Sequence, residues 1–370
     1  MSRIRVLFES CRAGRYNLNN RIVMAPLTRR RATSDHIPTG IMAEYYEQRA
    51  TAGLIIAEAT NISPQGTGYL NSPGIYTGGQ IRAWQRITKV VHNQGGLIFL
   101  QLWHTGRVSH PLNQPGDEYP VSASEIAADS TIETPRGKKP LVVPRSLKEH
   151  EIEDVIDQYT RAAQNAIEAG FDGVEIHSAN GYLPDQFLQD GSNKRKDGYG
   201  GSIPNRCRLT LEVTTAISGA IGPDRTGIRL SPSGITKGMY DSAPVDTFTY
   251  LIEKLNDYNL AYLHLVEPLL PLEPADKYTH YLKEVTPYFR KIYNGVLISN
   301  GGYDRESAAR AISEGYADLI AFGKAFISNP DLVKRFGLNA ELTPWDKNTF
   351  YTSGPQGYTD YPFMDQEKHI

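Results

Sequence analysis

Hydrophobic and polar positions divide the chain into two alternating textures. Eight short apolar runs recur, each bounded by Gly, Pro or Asn: RIVMAP (21–26), GLIIAEAT (53–60), GLIFLQLWH (96–104), GVEIHS (173–178), GIRLSP (227–232), AYLHLVE (261–267), GVLISNGG (295–302) and DLIAFGK (318–324). These runs are near-continuous rather than alternating, the habit of strands covered on both faces in a parallel sheet. Helical patterns lie between most of them. IEDVIDQYTRAAQNAIEAG (152–170) places apolar residues at helical spacing and ends on a Gly cap. DTFTYLIEKLNDYN (246–259) and DRESAARAISEG (304–315) do the same, each with an Asp where the N-cap is expected.

Eight strands with helices between them predict an α/β fold, a (β/α)8 TIM barrel. The rival is an open doubly wound sheet. The strand count suits closure, and no G-x-G-x-x-G follows any predicted strand. G-x-x-x-x-G-K-[ST] and H-E-x-x-H are also missing. The whole chain, 1–370, reads as one barrel domain. Residues 111–149, after the third strand, are rich in Pro, Gly and Ser and too long for an ordinary barrel loop, so a lid-like excursion over the mouth is expected. The tail from about 340 to 370 is rich in Tyr, Gly and Pro and is expected to pack on the barrel.

Composition narrows the function classes. A net charge of -2 and a pI near 6.5 argue against nucleic acid or a membrane surface as partner. No stretch is long and apolar enough for a signal peptide or a membrane span, so a cytoplasmic protein is expected. The two cysteines, Cys11 and Cys207, lack metal-ligand spacing, and no metal is expected.

In a barrel, chemistry gathers where the strands end. Those ends carry Pro26 and Thr28, then Ala59, then Gln101, Trp103 and His104, then His177, Asn180 and Tyr182, then Arg229. The last two strands end in Asn300, Gly301, Gly302 and in Gly323, Lys324. Glycines at both ends with a lysine suit a phosphate. Thr28, Gln101 and Arg229 could satisfy the edge of a polar heteroaromatic ring, and a reduced flavin is such a ring. Each residue taken singly is weak. A lone Arg at a strand end is more often an ion-pair partner, and a lone His after a strand is more often structural.

Longer motifs carry a resemblance. NRIVMAPLTRRRA (20–32), AEATNISPQGTGYLNSPGIYT (57–77), QLWHTGRVSH (101–110), HSANGYLPDQFLQDGSNKRKDGYGGSIPNRCRL (177–209) and FYTSGPQGYTDYP (350–362) resemble, in order, the motifs of the Old Yellow Enzyme family of flavin-dependent ene reductases. The resemblance implies a (β/α)8 barrel that binds FMN non-covalently. It implies Thr28 at the C4 carbonyl edge, Pro26 and Ala59 lining the ring, Gln101 on the pyrimidine part and Arg229 beside N1. Asn300, Gly301, Gly302, Gly323 and Lys324 correspond to the phosphate end. Two departures stand out: the family more often has Arg where Lys324 stands, and commonly Thr and Glu in place of Lys196 and Gly198. A lysine neutralises phosphate as a point charge, without the bidentate fork.

The resemblance also implies a ping-pong reaction. NADPH, or NADH, gives hydride to the flavin N5, and an electron-poor alkene then takes it. His177 and Asn180 are implied as donors to the activating carbonyl or nitro oxygen, and Tyr182 as the acid that protonates the α-carbon. Trp103, Tyr69 and Tyr351 are implied as walls of the substrate pocket. Thr28 and Tyr351 resemble the family's classical branch. Enones, nitroalkenes and nitrate esters are all admissible substrates, with a monomer or homodimer as the assembly. The rivals are a barrel lyase or hydrolase holding a phosphorylated substrate, and a non-catalytic ligand-binding barrel.

Overall fold

All eight apolar runs form strands of one closed, all-parallel barrel. They are β1 (Ile22–Met24), β2 (Leu54–Asn61), β3 (Ile98–Trp103), β4 (Gly173–Ser178), β5 (Thr226–Leu230), β6 (Tyr262–Val266), β7 (Leu297–Asn300) and β8 (Leu319–Phe322). Each pairs with the next in the chain, and β8 closes on β1. The structure, a computed structural model, describes residues 3–273 and 277–365. Among the described residues no helix is long and apolar enough to cross a membrane.

The runs look continuous because both strand faces are covered, yet a period of two operates underneath. Ile98, Leu100, Leu102, Val174, Ile176, Ile228, Leu230, Leu263 and Leu265 point outward into the core under the helices. The alternate residues fill the bore. Its lower part is apolar, with Val23, Leu54, Ile56, Phe99, Tyr262, Ile298 and Leu319 in one cluster. Gly227 makes room there, because a Cβ would lie 2.4 Å from the Tyr262 ring. Two or four residues further along the same faces come Gln101, Glu175, His177, Arg229 and His264, all buried. The bore changes from apolar to polar toward the carboxyl ends of the strands.

Helices cover the outside. The first predicted pattern, 152–170, runs Glu149–Glu168, three residues ahead of its expected start, because Glu151 turns back to accept from Lys148 N at 2.7 Å and stabilises an earlier turn. It stops before Gly170, whose φ of +86 is left-handed. Asp304 caps Arg305–Ser313, accepting from Ser307 N at 2.7 Å. Asp246 departs from expectation: the helix spans Pro244–Leu255 with Ala243 at the cap, so Asp246 sits in the first turn and acts on the helix dipole instead.

Residues 111–149 contain two 3-10 turns, a hairpin of Thr131–Thr134 with Gly137–Pro140, and a parallel pair of Val121–Ser122 with Arg145–Ser146. Ala128, Ile132 and Leu141 join Val108 in a small apolar cluster against Tyr69 and Tyr182. The segment therefore stands behind those tyrosines. The tail is held by arginines that follow β1. Arg31 donates to Phe350 O at 2.7 Å, Gln356 O at 3.0 Å and Thr352 Oγ1 at 2.9 Å. Arg29 donates to Gly357 O at 2.6 Å and Phe350 O at 3.1 Å. The tail's Tyr358 stacks on Tyr45 with centroids 4.0 Å apart.

Arg31→Met is expected to cost about 2 kcal/mol, because it strands several buried carbonyl acceptors, and to open the segment after 340 to protease. Urea unfolding and limited proteolysis read the two effects. An unchanged cleavage pattern would show that the tail is held by other contacts.

Candidate active site

The carboxyl ends of the strands surround a cavity of ≈ 380 Å³, a size suited to a cofactor or a small ligand. Of the residues singled out by sequence, Pro26, Thr28, Ala59, Tyr69, Gln101, Trp103, His177, Asn180, Tyr182, Arg229, Lys324 and Tyr351 all line it. Ala59 is brought to the wall by an irregularity in the β2–β3 pairing between Ala57 and Thr60, a bulge of the kind that re-aims side chains beside sites. At the same bulge Glu58 is buried and accepts from Arg29 N and the Tyr46 hydroxyl, both at 3.2 Å, and burial pushes its carboxyl up to about 7.

The turn after β4 is built from both sides. Asn180 and Gly181 are left-handed in succession, with φ of +58 and +81. The first is tolerable for Asn, and the second favours Gly. A Cβ on Gly181 would also lie 3.0 Å from Met239 Cγ. Ser231 Oγ accepts from Asn180 N at 2.8 Å, Asp185 Oδ2 accepts from Gly181 N at 2.8 Å, and Lys237 Nζ donates to Asn180 O at 2.8 Å. With the backbone so held, the Asn180 side chain faces the cavity. Tyr182 begins the helix Leu183–Leu188. Its ring meets Trp103 and His177 edge-on, with centroids 4.9 Å away in both cases, and its hydroxyl donates to Tyr69 Oη at 3.4 Å. Burial raises the Tyr182 phenol well above its ordinary range, so it keeps its proton. Burial first, then Arg229, lowers His177 well below the usual imidazole range. At neutral pH His177 is therefore a neutral ring with one N–H to give.

Below these, three strands meet in one polar network. Glu175 accepts from Gln101 Nε2 at 2.7 Å and from His264 Nδ1 at 2.8 Å. Arg229 donates Nη2 to Asn300 Oδ1 at 2.6 Å, and Asn300 Nδ2 donates to Ala321 O at 2.7 Å. Burial lowers the Arg229 guanidinium, and Glu175 pulls it back up.

The phosphate end is less unified than the sequence suggests. Lys324 lines the main cavity, with Nζ 4.8 Å from the Trp345 ring centroid. Gly323 caps the short helix Lys324–Ser328. Gly301 and Gly302 line a neighbouring hollow with Glu267, Ser307 and Arg310. Gly301 packs closely on Glu267, where a Cβ would lie 2.8 Å from the Glu267 Cβ. Asn300 faces neither space and works through Arg229.

Leu27, Arg29, Thr236, Lys237, Leu269, Ile327 and Phe350 also line the main cavity and were not singled out by sequence. Leu27, Arg29 and Phe350 adjoin residues that were, so their motifs already held the signal. Thr236 and Lys237 lie in a loop after β5 that has no motif of its own.

The residues fit a flavin. Trp103 Nε1, His177 Nδ1 and Arg229 Nε are buried without a protein partner among the described residues, and all three residues line the cavity. Gln101 spends its amide nitrogen on Glu175, which leaves its carbonyl oxygen for a ring N–H.

Comparisons with known proteins agree with that chemistry. Residues 6–342 match the model of the NADH:flavin oxidoreductase / NADH oxidase family. The chain is 47% identical over 364 residues to a protein described as putative 12-oxophytodienoate reductase 2 of Oryza sativa subsp. japonica, covering 97% of this chain and 94% of that one. Among solved structures, the Old Yellow Enzyme homologue from Zymomonas mobilis is 46% identical with a TM-score of 0.92, covering 96% of this chain and 99% of that one. Morphinone reductase in complex with tetrahydroNAD is 44% identical with a TM-score of 0.90, covering 98% of this chain and 99% of that one.

Two outcomes are expected from the buried network. Glu175→Gln removes the negative partner of a buried guanidinium, at a cost of about 3 kcal/mol. Combined with Arg229→Met the loss should be less than additive, by roughly 1–3 kcal/mol in a double-mutant cycle of urea unfolding on flavin-stripped protein. Strict additivity would mean that the two side chains do not share a field. The second outcome concerns pH. His104 lies behind the turn, its carbonyl accepting from Leu183 N at 3.0 Å, and burial pushes its imidazole down to about 3. The unfolded chain takes that proton near pH 6.5 and the folded one does not, so stability is full above 6.5 and falls with acid. The slope is about 1.4 kcal/mol per pH unit from this group. His104→Phe should flatten the fall between pH 6.5 and 5; an unchanged slope would assign it to other groups.

Proposed function

The chain belongs to the NADH:flavin oxidoreductase / NADH oxidase family, the Old Yellow Enzyme family, and on that premise we propose that this flavin-dependent oxidoreductase is an ene reductase of the classical branch. It uses NADPH or NADH to reduce the activated C=C bond of α,β-unsaturated carbonyl or nitro compounds. The observation that carries this reading is the convergence of His177, Asn180 and Tyr182 on one cavity that also holds Gln101 and Arg229. Relatives that bear the name reductase, and one bound to tetrahydroNAD, support it.

Thr28, Gln101 and Arg229 would hold the FMN ring by its polar edges, with Pro26 and Ala59 against it. Lys324 and the backbone at Gly323 would take the phosphate. Gly301 and Gly302 serve that end only by approaching from the adjoining hollow. FMN held by these residues would supply two-electron hydride chemistry between the nicotinamide and the β-carbon of the alkene.

The protein supplies the rest. His177 and Asn180 each offer an N–H to the substrate oxygen on which negative charge grows. Both are fixed before that charge forms, so the transition state gains without a cost of reorganisation. Tyr182 then gives its proton to the α-carbon. Its pKa, raised by burial, keeps the proton in place at neutral pH, and the Tyr69 hydroxyl is the next polar atom through which it can be replaced. Trp103 and Tyr351 wall the space, and Trp103 excludes water from the face of Tyr182.

Purified protein is expected to be yellow and to release FMN on heating. Tyr182→Phe should slow the alkene half-reaction on the order of 10²-fold or more while flavin reduction by the nicotinamide persists, as stopped-flow absorbance would show. His177→Ala should weaken phenol binding in an absorbance titration by about tenfold or more. Equal loss of both half-reactions in Tyr182→Phe would refute the proton-donor role. Protein that stays colourless with added FMN would refute the flavin site.

A further inference from the structure

The described residues that line the main cavity include four cations, Arg29, Arg229, Lys237 and Lys324, and no carboxyl group. Three of the four have an evident duty. Arg29 is spent on the tail carbonyls. Arg229 faces the ring end and binds Asn300. Lys324 stands at the phosphate end beside Trp345. Lys237 is only partly committed, through the bond that helps hold the Asn180 turn. It forms no ion pair within 4.0 Å among the described residues. Among the described residues its ammonium makes one hydrogen bond, to Asn180 O at 2.8 Å. An ammonium has three N–H donors, so two remain to be satisfied. Nζ also stands 4.4 Å from the Tyr182 ring centroid, beside the acid of the proposed reaction.

The surroundings sharpen the point. Lys237 is left-handed, with φ of +61, an uncommon state for a side chain of this size. Its side chain lines the cavity. Asp185 is the acid that acts on it, but that carboxyl is turned to Gly181 N and to Gln189 Nε2, both at 2.8 Å, and does not line the cavity. Burial lowers Lys237 to about 8, which leaves it charged at neutral pH.

We propose that Lys237 forms an anion subsite of the substrate pocket and selects activated alkenes that carry a carboxylate close to the reacting double bond. The tether must be short because the ammonium lies over Tyr182. The proposal rests on the ene-reductase reading above. The phosphates of the nicotinamide coenzyme offer the same anionic chemistry, and the test separates the two sources.

The probes are 4-oxopent-2-enoate and its methyl ester, with FMN-loaded enzyme. The variants are Lys237→Gln, which keeps a donor for Asn180 O without the charge, and Lys237→Arg, which keeps the charge. In Lys237→Gln the acid-to-ester ratio of kcat/KM is expected to fall about 10- to 100-fold, the worth of a charge-assisted hydrogen bond. Lys237→Arg should retain most of the ratio. The Kd for the unreactive saturated acid 4-oxopentanoate, from titration of flavin absorbance, should rise by a similar factor in Lys237→Gln. An equal loss for acid and ester would make Lys237 only a support for the Asn180 turn and overturn the proposal. A loss confined to reduction by NADPH or NADH, with the acid-to-ester ratio unmoved, would assign the anion to the coenzyme and overturn it too. If the wild-type enzyme reduces the ester but its preference for the acid does not depend on residue 237, the ene-reductase reading stands and this one fails. If it reduces neither compound, both fall.

Discussion

In the bore of the barrel the Glu175 carboxyl accepts from Gln101 at 2.7 Å and from His264 at 2.8 Å, and all three side chains are shut away from solvent. Arg229 lies in the same bore and is drawn by the same carboxyl. Burying a guanidinium without an opposing group is very costly. The polar floor of the site therefore depends on this one acid. It decides which end of Gln101 faces the cavity and takes a hydrogen bond from His264, whose imidazole burial and Arg229 lower against the pull of the acid. It also lets Arg229 stay charged where a flavin ring would need a cation. Three strands are tied by these bonds, so the ring end of the site is as rigid as the barrel.

The turn above the floor is rigid for a different reason. Its backbone leaves ordinary territory at Asn180 and Gly181, and such strain persists only where the surroundings over-determine it. Here they do so from two directions. Ser231 and Lys237 reach it from the loop after β5, and Asp185 from the helix that follows. Tyr182 is then boxed by Trp103, Tyr69 and the apolar cluster of the 111–149 segment. The groups proposed to hold the substrate oxygen and to deliver the proton thus share one turn, yet rest on three separate parts of the chain.

Much of this was legible in the primary structure. Strand positions came through because a barrel strand is covered on both faces and must be apolar almost throughout. The exceptions, Gln101, Glu175, His177, Arg229 and His264, break those apolar runs, and a break in a buried strand points to chemistry. Glu175 and His264 passed unnoticed as candidates because they never reach the cavity; their effect is exerted on Gln101 and Arg229. Arg29 and Arg31 stand inside the motif NRIVMAPLTRRRA, but nothing in the sequence says that they spend themselves on tail carbonyls more than 300 residues away.

The sequence by itself determined the barrel, its closure from eight runs, the site's face and most of the residues on it. It could do so because periodicity and turn chemistry are local, and the carboxyl ends of parallel strands necessarily share one rim. Only the tertiary structure decided the remainder. It set Gly301 and Gly302 along a neighbouring hollow, with Gly301 packed on Glu267 from another strand's loop. It brought Lys237 over Tyr182, because the loops after the neighbouring strands β4 and β5 fold against each other. Contacts of that kind depend on where separate strands end in space, and no short stretch of sequence encodes that distance.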